Sequence, residues 1–177
     1  MKDKVTPVAL GLVALALFLA LQFPQPYQES PRPSEEVPDF TFSHQGREQR
    51  LADFRGRVVV LNFWATWCPP CVAEMPSLER LHKQLGPRGL VVLGISVDAD
   101  TAAYDKFLRD LNITFINYRD PDRRISSLYG TFMYPETYII DSQGRLVRKV
   151  IGALEWDDPQ VVALLTELLG KPQRNAS

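Results

Sequence analysis

The sequence predicts an α/β sandwich, a mixed central sheet flanked by helices. Three observations lead there. Residues 58–64 (Val-Val-Val-Leu-Asn-Phe-Trp) form a nearly continuous apolar, β-branched run, as expected of a strand buried on both faces. From Pro69 to Leu85 the pattern turns helical, with Met75, Leu78, Leu81 and Leu85 on one side, and a second buried strand follows over residues 90–97. The chain then ends with a hairpin and a helix, so the strand–helix–strand unit is completed by antiparallel pairing and the sheet is mixed.

The elements follow in order. Residues 40–42 and 49–51 flank a polar turn at 44–47, which reads as an N-terminal hairpin. After the first buried strand and helix, Gly86 and Gly89 end the helix. A helix over residues 101–111 is expected to be capped by Asp100 or Thr101. Residues 114–118 read as another strand and 125–129 as a short helix. Residues 137–140 and 146–151 pair across Asp141-Ser142-Gln143-Gly144. The last helix is capped by Asp157 or Asp158 and has Pro159 in its first turn. Its apolar residues are 161, 162, 164, 165, 168 and 169.

Composition bounds the function. The 177 residues are 45% apolar and 23% charged, enough for one folded domain and far from a disordered chain. A net charge of −1 makes no electrostatic case for nucleic acid. Two cysteines cannot staple a disulfide-dense mini-protein, and two histidines leave little material for a zinc site, so no metal ligand is assigned.

The chain divides by composition. Residues 1–4 carry Lys2 and Lys4; residues 5–23 have no charge. Nineteen helical residues reach about 28 Å, close to the roughly 30 Å of a bilayer's hydrocarbon. The run is long for a cleaved signal, and Leu21-Gln22-Phe23-Pro24 lacks small residues where cleavage would need them. A single transmembrane anchor is therefore preferred over a cleaved signal peptide, with Lys2 and Lys4 in the cytoplasm and everything after Phe23 outside it. Residues 24–38 hold five prolines and read as an extended spacer. Residues 39–170 are the folded domain, and 171–177 a tail.

Both cysteines lie in Cys68-Pro69-Pro70-Cys71. Three readings compete. A structural disulfide closing so short a loop would constrain the unfolded chain little. A metal site needs two more ligands, and neither His44 nor His82 stands at a suggestive spacing. The redox reading fits the position, where a buried strand hands over to a helix. The first cysteine would then be exposed at the helix N-terminus, favoured as a thiolate, and the second protected one turn inside. Thiol–disulfide exchange through a mixed disulfide requires that asymmetry.

The residues around this motif carry a resemblance. Phe63-Trp64-Ala65-Thr66-Trp67-Cys68-Pro69-Pro70-Cys71 resembles the active-site segment of the thioredoxin superfamily, and Pro76 stands where that family's helix is kinked. Tyr134-Pro135-Glu136-Thr137 followed by Tyr138-Ile139-Ile140-Asp141 is similar to the family's cis-proline loop, in the form used by the TlpA/ResA/CcmG (DsbE) group. The resemblance spans about residues 38–169. It implies a thioredoxin fold with a helix–strand insertion between the two halves, over about residues 92–118. It also implies a protein disulfide reductase held on the outer side of a bacterial inner membrane, of a group many of whose members serve cytochrome c maturation.

For partners, the resemblance implies a protein thiol or disulfide, with apocytochrome c or its maturation factors among the candidates. It also implies a membrane thiol donor of electrons, and no cofactor beyond the Cys68–Cys71 pair. For site residues, it makes Cys68 the nucleophile and Cys71 the resolving thiol. Pro135 becomes the cis-proline, with Tyr134 before it and a backbone that would pair with an extended substrate. Trp67 is read as shielding the sulfurs and Trp64 as core. Asn62 stands where thioredoxin has a buried acid, and Glu74 stands where ResA-like proteins have a proposed proton partner. One helical turn past Cys71, Glu74 would take its proton; the plain alternative is a solvent-facing helix glutamate.

Two other functions compete with this one. A peroxiredoxin-like peroxidase has threonine three residues before its reactive cysteine; here that residue is Ala65, and Thr66 is one place too late. A Sco-like copper chaperone has CxxxC spacing and a downstream histidine, and no histidine follows His82. The direction of electron flow is read from the dipeptide. Pro69 and Pro70 have no N–H to give to a Cys68 thiolate, so the thiol is less acidified than in strongly oxidising relatives. The reduction potential should then lie nearer the about −270 mV of thioredoxin than the about −120 mV of DsbA.

Overall fold

The computed structural model describes residues 30–170. The segments expected over 1–4, 5–23 and 171–177, and residues 24–29 of the expected spacer over 24–38, lie outside those residues. Among the described residues no helix is long and apolar enough to cross a membrane.

The chain joins the fold before Asp39. Ser34 N donates to the Leu146 carbonyl at 2.7 Å and Val37 N to the Gly144 carbonyl at 3.0 Å. Val37 is buried. The C-terminal end of the expected spacer is therefore docked along the β-hairpin near Gly144, because Val37 supplies apolar surface that a proline–polar tract otherwise lacks.

Strands β1 (Thr41–His44) and β2 (Arg47–Arg50) pair antiparallel as a separate two-stranded sheet. The turn is Gln45-Gly46, both with positive φ, as a two-residue hairpin turn demands. The second strand thus starts two residues earlier than expected. Leu51 instead opens a short 3₁₀ turn, Leu51–Phe54, held by Asp39, which accepts from Ala52 N at 2.9 Å, and by Asp53, which accepts from Arg50 N at 2.7 Å.

The main sheet has five strands in the order β5-β4-β3-β6-β7. Its centre is β3 (Val59–Trp64), parallel to β4 (Val91–Ser96), which is in turn parallel to β5 (Ile116–Arg119). On the other side β3 pairs antiparallel with β6 (Glu136–Ile140), and β6 with β7 (Leu146–Ile151). β5 begins two residues later than expected, because the Thr114 amide is taken by the Glu79 carboxylate at 2.8 Å and is not free for the ladder.

Helix α1 (Pro69–Leu85) follows β3, and α2 (Thr101–Asp110) joins β4 to β5. A short α3 (Arg124–Leu128) precedes β6, and α4 (Pro159–Gly170) closes the chain. Asp100 caps α2, accepting from Ala102 N and Ala103 N at 2.8 and 3.1 Å. Asp158 caps α4, accepting from Gln160 N at 2.8 Å, while its neighbour Asp157 pairs with Arg80.

The alternation of β3 builds two cores. Val60 and Trp64 face α1, meeting Met75, Leu78, Leu81 and Leu85, with Trp156 and Leu165. Val59, Leu61 and Phe63 face the other way, toward Phe40, Phe42 and Tyr129. The same alternation sends Asn62 to the α1 side, under the cysteines, although every residue around it is apolar in sequence.

Candidate active site

The site lies at the C-terminal end of β3, where the chain turns through Ala65-Thr66-Trp67 into α1. Cys68 is the N-cap of that helix, in extended conformation, with Pro69 and Pro70 in the first turn. Proline suits those positions because the first-turn amides have no partner within the helix. The Cys71 amide, the first one available after them, points at Cys68 Sγ at 3.3 Å. Cys68 and Cys71 are joined as a disulfide, with their Cα atoms 5.2 Å apart.

Cys68 is more covered than the sequence suggests. It keeps 5% of its surface and Cys71 none. The asymmetry between the sulfurs has the expected sign, but the loop before β6 lies over Cys68. Tyr134 and Pro135 are joined by a cis peptide bond, and the Tyr134 carbonyl oxygen stands 3.5 Å from Cys68 Sγ. Pro135 itself is buried and its carbonyl accepts from Gly152 N at 2.9 Å. Tyr134 meets the exposed Trp67 ring edge-on, centroids 6.1 Å apart, whereas Trp64 is fully buried.

Glu74 is not a solvent-facing glutamate. Only 2% of it is exposed. Asn62 Nδ2 donates to its Oε1 at 2.8 Å; Leu154 N and Trp156 Nε1 donate to its Oε2 at 3.1 and 3.0 Å. Burial pushes the carboxyl pKa above its ordinary value, and the Trp156, Leu154 and Asn62 hydrogen bonds pull it partly back. Asn62 Nδ2 also donates to Thr137 Oγ1 at 2.8 Å, so a polar thread runs from α1 through β3 to the strand that follows the cis-proline. The Asn62 Oδ1 atom is buried without a partner among the described residues.

Sequence reasoning missed several neighbours. Leu154 and Trp156 carry no motif and reach Glu74 only because the loop before α4 folds over α1. Phe132 and Met133, 64% and 48% exposed, extend the apolar rim begun by Trp67 and the exposed Pro69 and Pro70. Two apolar residues between Gly130 and the proline loop were a readable signal for such a rim. Asp98, at the end of β4, grips the turn before Cys68: Thr66 Oγ1 donates to it at 2.7 Å and Thr66 N at 3.0 Å. Next to the cis-proline, Glu136 is buried and pairs with Lys149 at 3.1 Å.

A cysteine pair at a helix N-terminus, bonded to each other, backed by a buried carboxylate and covered by a cis-proline loop, can accept and donate two electrons by disulfide exchange. Comparison with known proteins agrees. The model of the AhpC/TSA family matches residues 33–149. The chain belongs to that family. Within it, the chain is 34% identical to the thiol:disulfide interchange protein DsbE of Pseudomonas aeruginosa, over 98% of this chain and 99% of that one. It is 35% identical to the thiol-disulfide oxidoreductase ResA of Geobacillus thermodenitrificans, over 69% and 71% of the two chains. A crystal structure of a DsbE-type thiol:disulfide interchange protein from Chlorobium tepidum superposes with a TM-score of 0.74 at 28% identity, covering 80% of this chain and all of that one. This family member is a thiol-disulfide oxidoreductase with a thioredoxin-like fold, and its redox pair has CXXC spacing.

Proposed function

We propose that this oxidoreductase works as a reductant of protein disulfides on the outer side of a bacterial inner membrane, tethered by residues 5–23. Cys68 is the nucleophile, Cys71 the resolving thiol and Glu74 the acceptor of its proton. The Cys68 thiolate attacks one sulfur of a substrate disulfide. That S–S bond breaks, a mixed disulfide forms, and the released substrate sulfur takes up a proton. Cys71 then gives its proton to Glu74 and attacks Cys68 Sγ; the Cys68–substrate S–S bond breaks and the second substrate sulfur leaves as a thiolate, which takes up a proton. Two electrons pass to the substrate and the Cys68–Cys71 disulfide forms, the state described here. A membrane thiol donor returns the electrons, and no other cofactor takes part.

The observation that carries the reading is the burial of a carboxylate one turn behind the resolving cysteine. A carboxylate kept from water is a stronger base than a surface one. The apolar rim of Trp67, Phe132 and Met133 suits an unfolded or extended polypeptide, whose backbone would pair beside Tyr134. Apocytochrome c or one of its maturation factors is the partner that the resemblance of the cis-proline loop to the CcmG group implies. The peroxidase alternative gains nothing from the geometry, since the Thr66 hydroxyl is committed to Asp98.

A Cys71→Ala protein tests this. It should accumulate a mixed disulfide through Cys68 with a substrate polypeptide, and identifying that polypeptide names the partner. Equilibration with glutathione buffers should give a potential well below about −150 mV; a value at or above that mark would make the protein an oxidant.

A further inference from the structure

Asp98 lies outside the cysteine motif, yet it is tied to the turn that delivers Cys68. It is 2% exposed. Its Oδ1 accepts from Thr66 Oγ1 at 2.7 Å, and its Oδ2 from Thr66 N at 3.0 Å and Ser96 Oγ at 2.6 Å. All three donors are neutral. Arg119, a cation at this corner, spends its Nη1 on the backbone carbonyls of Asp98 and Ala99, at 3.2 and 3.0 Å. A carboxylate taken from water and held by neutral groups keeps a field that surface charges do not, because little solvent screens it.

We propose that Asp98 is a positioning residue that also sets the reducing power of the site: it fixes the turn two residues before Cys68, and its buried negative charge opposes the Cys68 thiolate. A like charge near a thiol disfavours the thiolate and raises the thiol pKa. A less stable thiolate means a less stable reduced protein, hence a stronger electron donor. Asp98 thus acts in the same direction as the missing amides of Pro69 and Pro70, and against the partial positive charge of the α1 N-terminus. The neighbouring Tyr104 hydroxyl feels these same groups. Burial is the main cause of its raised pKa, Asp105 and Asp98 add to it, and Arg119 opposes them. Two other buried carboxyl groups lie near the cysteines in the fold: Glu74, one helical turn past Cys71, and Glu136, next to the cis-proline and paired with Lys149. They stay unchanged in the variants below.

The inference rests on Cys68 being the nucleophile, and the experiment separates the two. Iodoacetamide labelling of the reduced full chain is followed against pH, with peptide mapping, for the wild type, Asp98→Asn, Thr66→Val and Arg119→Met. Asp98→Asn removes the charge and keeps an acceptor oxygen; it should lower the Cys68 pKa by about half a unit, roughly a threefold rise in the thiolate-to-thiol ratio. With glutathione, at a pH above the Cys68 pKa, the same variant should shift the exchange equilibrium about threefold toward reduced protein, about 14 mV for this two-electron couple. Arg119→Met removes the opposing cation and should move the pKa the other way. Thr66→Val keeps the charge, loses one hydrogen bond to it, and should leave the pKa in place.

An unchanged pKa in Asp98→Asn, or a Thr66→Val shift as large as that of Asp98→Asn, would overturn the role of the charge. Should Asp98→Asn fail to fold, the Arg119→Met shift decides: upward supports the inference, none or downward sinks it. Labelling at Cys71 in place of Cys68 would appear in the peptide maps, and would overturn the nucleophile assignment itself.

Discussion

At the scale of single residues, the two cysteines and Glu74 divide the chemistry. Cys68 keeps a little surface and receives the Cys71 amide at 3.3 Å, while Cys71 has no exposed surface. Alkylation of the reduced protein at neutral pH should therefore label Cys68 much faster, and preferential labelling of Cys71 would reverse their roles. Glu74 pays for its burial. Its folded pKa lies above the ordinary 4.5, so between the two values the native state binds more protons than the unfolded chain. Stability from this group then falls as pH rises from about 4.5 through the raised pKa, and the ionised form carries the cost above it. Glu74→Gln removes that cost, and with the Asn62 amide turned over its Oδ1 accepts from the new amide. The thermal midpoint of Glu74→Gln should exceed that of the wild type near pH 8 and lose that advantage near pH 4. At the same time, reduction of protein disulfides should slow at the resolution step, seen as persistence of the mixed disulfide.

At the scale of elements, α1 does two jobs from two faces of one helix. Met75, Leu78, Leu81 and Leu85 anchor it on the sheet with no exposed surface. One and nearly two turns past Cys71, Glu74 and Ser77 hold the loop before α4. Ser77 Oγ donates to the Glu74 carbonyl at 2.8 Å and accepts from Trp156 N at 3.0 Å. Ser77→Ala leaves that buried amide without a partner, a loss of about 1–3 kcal/mol. Denaturant unfolding should show this as a lower midpoint. Resolution of the mixed disulfide should slow as well, because Trp156 Nε1 would no longer be held on Glu74. Unaltered stability and kinetics would mean that the loop is held by its apolar contacts alone.

At the scale of the whole molecule, five strands and the helices on both faces bring together groups from four parts of the chain. Cys68 comes from the β3–α1 turn, Asp98 from the end of β4, Tyr134 and Pro135 from the loop before β6, and Trp156 from the segment before α4. The tether is the whole-chain property open to a direct test. Full-length protein expressed in a bacterium should fractionate with the membrane, and after reduction its Cys68 should be reached by an impermeant thiol reagent from outside the cytoplasmic membrane. Recovery of full-length protein in the cytosol would refute the tether, and a soluble exported form shortened by about 20–30 residues would indicate cleavage.

The sandwich, the cysteine pair and the cis-proline loop were legible in the amino-acid order because each rests on local signals. These are a β-branched run, a helical period, two prolines in a first turn, and a motif of adjacent residues. The pairing of the N-terminal hairpin was legible, but its inner strand ends were misplaced by two residues, because two residues of positive φ close the turn. The start of β5 was misplaced by two as well, because the capture of Thr114 by Glu79 depends on a group brought from elsewhere. The spacing of Glu74 from Cys71 and the cis-proline motif pointed to the site, but how far Cys68 is covered, which groups hold Glu74, and the grip of Asp98 on Thr66 had no local signal. A carboxylate reads the same in sequence whether it faces water or a tryptophan N–H. Only the packing of β4, β6 and the loop before α4 against the β3–α1 turn removes the water, and with the water gone the same side chains become a base, a clamp and a fixed charge.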